Sequence, residues 1–241
     1  VFDERYRCSF DGVADVYERS RPGYATDALA WIAERLPFGR VLDLAAGTGK
    51  LTRQLVPLAE SVVAVEPGDE MRRVLERVVP GVEVHAGIAE AIPLPNESVD
   101  TITVGQAFHW FDAAAAIAEM HRVLRPGGGL ALLWNEWDRD DPLLAAIDDI
   151  VERLRPEGVR DPSKREALDS SPLFTALEER SFRHSETLPG ETVIERVSSV
   201  SAIAAASARD RERALDEVRA LVGPAAVDFP MLTTVLVCNR V

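Results

Sequence analysis

From Arg40 to Trp137 short runs of β-branched and apolar residues alternate with stretches of helical period. "RVLDLA", "SVVAVE", "GVEVHAG", "VDTITVGQA" and "LALLWNE" predict strands, and "GKLTRQLVPLA", "MRRVLERVV" and "FDAAAAIAEMHRVL" predict helices. Asp112 sits where the N-cap of the last helix belongs, its carboxylate placed to accept from the first turn. "RPGGG" predicts the stop of that helix and a turn, because proline breaks the helix and glycines favour leaving it. Alternation of this kind predicts a parallel sheet covered by helices on both faces.

After Glu136 the texture changes. "DDPLLAAIDDIVERLRP" predicts a helix, and "VRDPSKREALDSSP" a loop or short helix. "ALEERSFRHSETLP" predicts a strand around 179–185, "TVIERVSSVSAIAAAS" and "RDRERALDEVRALV" one helix each, and "MLTTVLVCNRV" a closing strand beside the parallel sheet. There are no internal repeats.

Composition narrows the function classes. The chain has 241 residues, 46% apolar, which suits one large domain, or a domain with a sizeable insertion, around a buried core. Forty acids against 27 bases give a net charge of −13, which repels a polyanion, so nucleic-acid binding is disfavoured. No apolar run approaches the roughly 18 residues of a membrane span. "VFDERYRCSF" lacks a signal-type apolar segment, and Cys8 and Cys238 show neither metal spacing nor a disulfide framework. A cytoplasmic setting, without a metal, is the expectation.

The informative stretch is "VLDLAAGTGKLT", 41–52. A triphosphate loop needs glycine, four residues, then Gly-Lys-Ser/Thr, but Leu44 and Leu51 occupy two of the fixed positions. A dinucleotide turn, G-x-G-x-x-G, fits Gly47 and Gly49 but meets Thr52 at the third place. The third pattern, acid-x-x-x-G-x-G, is the nucleotide turn of S-adenosylmethionine enzymes, and Asp43, Gly47 and Gly49 satisfy it. Glycines there let the backbone pass close to a ligand. Glu66 ends the second strand, 23 residues after Asp43. An acceptor-only carboxylate at that place suits a ribose diol, in NAD as much as in any other adenosine ligand.

Taken in order, "FDGVADVYERSRPGY", "VLDLAAGTG", "VVAVEP", "AGIAEAIPLPNESVD", "QAFHWFD" and "MHRVLRPGGGLALLWNE" resemble the class I S-adenosylmethionine-dependent methyltransferases of the small-molecule (type 11) kind, over about residues 10–137. "QAFHWF" is similar to the trans-aconitate methyltransferase-like subgroup. The resemblance implies a Rossmann-like α/β fold: a seven-stranded, mostly parallel sheet with helices on both faces and a helical cover after the fifth strand. It divides the chain into a strap over the cofactor (1–39), a cofactor-binding core (40–137), an acceptor-side cover carrying one strand (138–230) and a final strand (231–241).

It also implies S-adenosyl-L-methionine as cofactor and S-adenosyl-L-homocysteine as product. Tyr17 and Arg21 then belong to the strap, Arg21 facing the methionine carboxylate. Asp43, Ala45, Gly47, Gly49 and Glu66 form the nucleotide turn, Met71, Ile88, Ala89 and Glu90 the adenine side, and Gln106 the methionyl side. Two positions depart from the family pattern: Ala45 replaces a glycine, which a slightly wider turn would tolerate, and Ile88 replaces an aspartate that would hold the adenine amino group. His109 becomes the candidate catalytic base for a hydroxyl acceptor, or a positioning group for a carboxylate. Trp110, Trp134, Asn135 and Trp137 become walls of the acceptor pocket. The competing readings are a core aromatic for Tyr17, a surface charge for Arg21, a loop-capping amide for Gln106, and packing for His109 and the tryptophans. Lys50 reads as an incidental cation at a helix start, and His85, His121 and His184 as structural. The expected activity is methyl transfer to oxygen of a small molecule by a monomer or homodimer. The rivals are C- or N-methylation, a non-catalytic binding module, a nicotinamide oxidoreductase, and transfer to RNA or protein, against which the acidic charge and missing basic–aromatic pattern argue.

Overall fold

The computed structural model describes residues 14–155 and 162–241. Val13 and the residues before it, including Cys8 and the start of "FDGVADVYERSRPGY", lie outside the described residues, as do 156–161. The parallel frame comes from β1 (Arg40–Leu44), β2 (Ser61–Val65), β3 (Glu83–His85), β4 (Val99–Gly105) and β5 (Leu124–Trp137). Two further strands, β6 (Glu178–Leu188) and β7 (Val227–Asn239), complete a seven-stranded sheet in the order β3-β2-β1-β4-β5-β7-β6. Of these seven only β7 runs against the others; it pairs antiparallel with both β5 and β6.

Helices α1 (Ala14–Ser20), α2 (Thr26–Ala33), α3 (Lys50–Leu55), α4 (Asp69–Val78) and α5 (Ala113–Val123) flank the parallel half. The strands are apolar on both faces, and so two helical layers cover them. Leu42, Ile102, Leu130 and Leu132 pack under α5 through Ile117 and Met120. Val41, Ala131 and Leu133 pack beneath α2 through Ala28 and Ile32. A separate cluster forms the cover, where α6 (Pro142–Glu152), α8 (Gly190–Ser198), α9 (Ser201–Ala204) and α10 (Ala208–Val222) close on Phe229 and Met231 of β7. Between α6 and β6 lies α7 (Pro162–Asp169).

Three expectations are corrected. The helix drawn through "GKLTRQLVPLA" ends at Leu55, because Pro57 has no N–H to give to Arg53, and 56–60 unwind as turns. The helix drawn through "TVIERVSSVSAIAAAS" is two, broken at Ser199 and Val200. Ser199 Oγ donates back to the Arg196 carbonyl at 2.7 Å, and Val200 adopts an extended conformation that starts α9. "RPGGG" is not a free turn: β5 begins at Leu124 and carries it along β4, with a register shift between Val99 and Thr101. A Cβ on Gly128 would stand 2.4 Å from the Asp100 carbonyl oxygen, so only glycine lets the two backbones meet. The expected Asp112 cap is present, its Oδ1 accepting from the Ala115 N–H at 3.0 Å.

Gly128→Ala is therefore expected to cost about 1–3 kcal/mol by overpacking against rigid backbone. Gly127→Ala, with φ +80° but open space around it, should cost only about 1 kcal/mol of left-handed strain. Urea unfolding of both variants checks the order; an equal or smaller loss at Gly128 would contradict the close-approach argument.

Candidate active site

The parallel strands all end on one side of the sheet, the side where open α/β sheets bind ligands. Leaving β1, the chain turns through Ala45 (φ 58°), Gly47 (φ 57°) and Gly49 (φ 86°), and Gly49 caps α3 in the left-handed region. Ala45 therefore does not widen the turn as expected; it takes the left-handed conformation itself, at a cost of roughly 1 kcal/mol. A Cβ on Gly47 would meet nothing within 4 Å, so the turn opens onto free space.

Glu66 closes this turn against β2. Its two oxygens accept from the backbone N–H groups of Gly47 at 2.9 Å and Gly68 at 2.8 Å. The side chain is 7% exposed, and burial raises its pKa against the opposing pull of those amides and of Arg72. Asp43 lies deeper, 1% exposed, with Oδ2 accepting from the Thr52 hydroxyl at 2.6 Å. Its carboxylate thus fixes the first turn of α3. Burial pushes it up to about 7, with the Glu66 charge adding and hydrogen bonds from Thr52 and Thr103 opposing.

The strap helix α1 lies beside this turn. Ala14 and Tyr17 pack on Met71 and Val74 of α4. Glu18 accepts from the Thr48 hydroxyl at 2.7 Å and from Arg53 at 2.6 Å, with Lys50 at 3.7 Å. Lys50 is thus part of the strap's anchorage rather than incidental. Arg21 stacks over Tyr17, 5.1 Å from the ring centroid, and donates from Nη2 to the Ser199 carbonyl at 2.7 Å. Its Nε is buried with no hydrogen-bond partner among the described residues.

Beyond β3, Ile88 bridges to Ala91 and Ala89 is buried. Glu90 accepts from the Asp112 N–H at 2.8 Å, tying this loop to the helical turn Phe108–Trp110 that carries His109. At the end of β4, Gln106 is also left-handed (φ 57°), and its amide donates to the Asn135 carbonyl at 2.7 Å. His109 lies against Trp110 with centroids 4.5 Å apart and the rings tilted by 48°, and Trp110 and Trp134 pack against the α5-side core. Asn135 faces the strap: Nδ2 donates to the Gly23 carbonyl at 2.8 Å, and Oδ1 accepts from Thr233 at 2.6 Å. Trp137, an odd number of residues from Trp134 along β5, packs on Phe229 in the cover.

Two groups of the expected residues come together. Asp43, Ala45, Gly47, Gly49 and Glu66 gather at the ends of β1 and β2, with Met71 packing on the strap beside them; Gln106, His109, Trp110 and Trp134 gather near the ends of β4 and β5. Sequence reasoning missed Glu18, Thr48 and Arg196. A signal existed for Arg196, a cation on the apolar stripe of α8 between Val193 and Val197. Among the described residues no cluster of three or more metal-ligating side chains occurs, and no helix is long and apolar enough to cross a membrane.

The strand order, with its single reversed strand, and the acid-linked glycine turn define a class I S-adenosylmethionine-dependent methyltransferase frame. Residues 42–132 match the family model described as a methyltransferase domain. The chain is 40% identical over 216 residues to an uncharacterized methyltransferase of Mycobacterium tuberculosis, covering 89% of this chain and 85% of the relative. It is 32% identical over 240 residues to another of Schizosaccharomyces pombe, covering 95% of each. A solved structure described as a candidate type II methyltransferase of Anaeromyxobacter dehalogenans superposes with a TM-score of 0.68 at 26% identity, over 91% of this chain and 97% of that one. The chain belongs to the class I S-adenosylmethionine-dependent methyltransferases. The nicotinamide reading of the Glu66 spacing falls with that result.

Both buried acids of the turn hold protons more tightly folded than unfolded. For Asp43, raised from 3.8 to about 7, the folded state binds the extra proton in that window, so stability falls as pH rises through it. The amide that Asp43→Asn introduces cannot ionise but can still accept from Thr52. The melting-temperature difference, Asp43→Asn minus wild type, should increase from about pH 4.5 to about pH 7.5. A flat difference would show that the Asp43 carboxyl is not raised.

Proposed function

We propose that this methyltransferase acts on oxygen, a hydroxyl or carboxylate, of a small molecule, with S-adenosyl-L-methionine bound across the ends of β1 and β2. The observation that carries the cofactor half is the Glu66 carboxylate, buried at the lip of an open glycine turn and held by the amides of Gly47 and Gly68. Each Glu66 oxygen keeps a lone pair for a ribose hydroxyl. The residues present fit the group: the space above Gly47 is free, and the buried Nε of Arg21 has, among the described residues, no partner of the kind a carboxylate would supply.

On this reading Glu66 takes the ribose, and Met71, Ile88 and Ala89 offer apolar surface and backbone to the adenine. Glu90 braces that loop against Asp112. Arg21, stacked on Tyr17, meets the amino-acid end, and Gln106 shapes the methionyl side. Asp43 works through Thr52, keeping Gly49 and α3 in register. The bound cofactor supplies an electrophilic methyl group on a sulfonium. Transfer from such a group depends chiefly on proximity and alignment. The chain's own contribution is to hold the acceptor between His109, Trp110 and Trp134 while Asn135 and Trp137 brace the strap and cover around it. His109 removes the proton of a hydroxyl acceptor, or hydrogen-bonds a carboxylate one. The net charge of −13 supports a small-molecule acceptor over nucleic acid.

Glu66→Ala is expected to weaken S-adenosylhomocysteine binding at least about tenfold, roughly 1.4 kcal/mol, by calorimetric titration. Unchanged affinity in a folded variant would displace the cofactor from this turn. A metabolite extract treated with methyl-labelled cofactor should yield a labelled ester or ether. With that acceptor in hand, His109→Ala should lower kcat about 10²-fold or more for a hydroxyl and far less for a carboxylate. Label appearing on nitrogen or carbon would contradict the oxygen assignment.

A further inference from the structure

Arg196 is the most deeply buried cation described, 3% exposed, on a helix face whose other buried residues are Gly190, Val193 and Val197. Burying a guanidinium is costly unless every direction of its fork is used. Here three elements use it. Nε donates to the Ser20 carbonyl of the strap at 2.6 Å, Nη2 to Glu186 of β6 at 2.6 Å, and Phe229 of β7 lies under the plane 5.0 Å away. The strap answers in kind: Arg21, next after Ser20, donates to the carbonyl of Ser199, the residue that ends α8. Two arginines thus cross, each binding the carbonyl beside the other's helix end. They also repel. Burial and the Arg21 charge both lower the Arg196 pKa, and Glu186 opposes them. At its other side the strap is fastened to the glycine turn through Glu18 and Thr48.

We propose that Arg196 is a positioning residue that couples the cofactor strap to the acceptor cover, so that an anion on Arg21 tightens the cover. Resting on the cofactor reading above, the coupling has a direct physical source. A carboxylate at Arg21 Nε cancels part of the like-charge repulsion across the crossed arginines, which strengthens both carbonyl bonds and draws α8 onto the strap. The cofactor therefore binds the clasped form better than the loose one, and the clasp reports its presence to the cover. The acceptor pocket is completed only after the strap is loaded, a sequence that keeps water from the reacting centre.

Hydrogen exchange with and without saturating S-adenosylhomocysteine tests this. In wild type the ligand should slow exchange at least about fivefold both in the strap, 14–21, and in the cover segment, 190–199. In Arg196→Met the ligand should still bind and still protect the strap, while protection of 190–199 disappears. Arg196→Lys, which keeps a cation for Glu186 but loses the fork that reaches Ser20, should give the same result and serves if the methionine variant does not fold. A role confined to stability would lower protection of 190–199 with and without ligand alike and leave the ligand's effect in place. Retained ligand-dependent protection in either variant, or strap protection without cover protection in wild type, overturns the coupling alone. Absence of binding to wild type overturns the cofactor reading and the coupling together.

Discussion

The amides of Gly47 and Gly68 converge on one buried carboxylate, and the rest of the site depends on that convergence. Glu66 directly follows β2 while Gly47 belongs to the turn after β1, so their bond fixes two neighbouring strand ends to each other. The turn can take three left-handed residues, Ala45 included, because Glu66 restrains it on one side and Asp43 through Thr52 on the other. The two acids add to the backbone bond from the Ala46 N–H to the Val65 carbonyl, 3.1 Å, and to the Thr48–Glu18 contact that also hold the turn. Both acids are buried and both hold their protons more tightly than in water, a cost to stability at neutral pH that accompanies a preformed lip at the strand ends.

Around this lip the chain builds outward in packed layers. The parallel strands supply a rigid floor, and α4 and α1 supply a wall through Met71 and Tyr17. The cover then rests on β7, on the strap and on Trp137 at the end of β5. Gln106 and Asn135 stand where floor, strap and cover meet. Gln106 holds Asn135 by its carbonyl, and Asn135 holds the strap connection at Gly23. Thr233 gives its proton to Asn135 and accepts from the Ala25 N–H, so β7 is tied to the start of α2. His184 completes this set at 3.1 Å from Thr233, in keeping with a structural role.

Much of the frame was legible in the residues. The alternation from Arg40 to Trp137 set out five strands and three helices, and the closing apolar run set out β7. Asp112 was legible because capping is local chemistry. What was not legible depended on long-range partners. The break at Val200 follows from a serine returning to its own helix, and the course of "RPGGG" along β4 follows from the approach of Gly128 to Asp100. Trp134 and Trp137 look like one aromatic group in the sequence, yet strand alternation sends them to opposite faces. The sequence marked Tyr17 and Arg21 but not Glu18, because an acid on a short helix looks like a solvated one until Thr48 and Arg53 are beside it. Arg196 was visible as a misfit on an apolar stripe, but nothing local named Ser20 as its partner.

The central claim is that the glycine turn and Glu66 form the ribose end of the cofactor site. The most direct measurement is a crystal structure of the protein grown with S-adenosylhomocysteine. The account predicts both ribose hydroxyls on the Glu66 carboxylate and the amino-acid end against Arg21. Density for the ligand elsewhere, with Glu66 bonded only to Gly47 and Gly68, would contradict it.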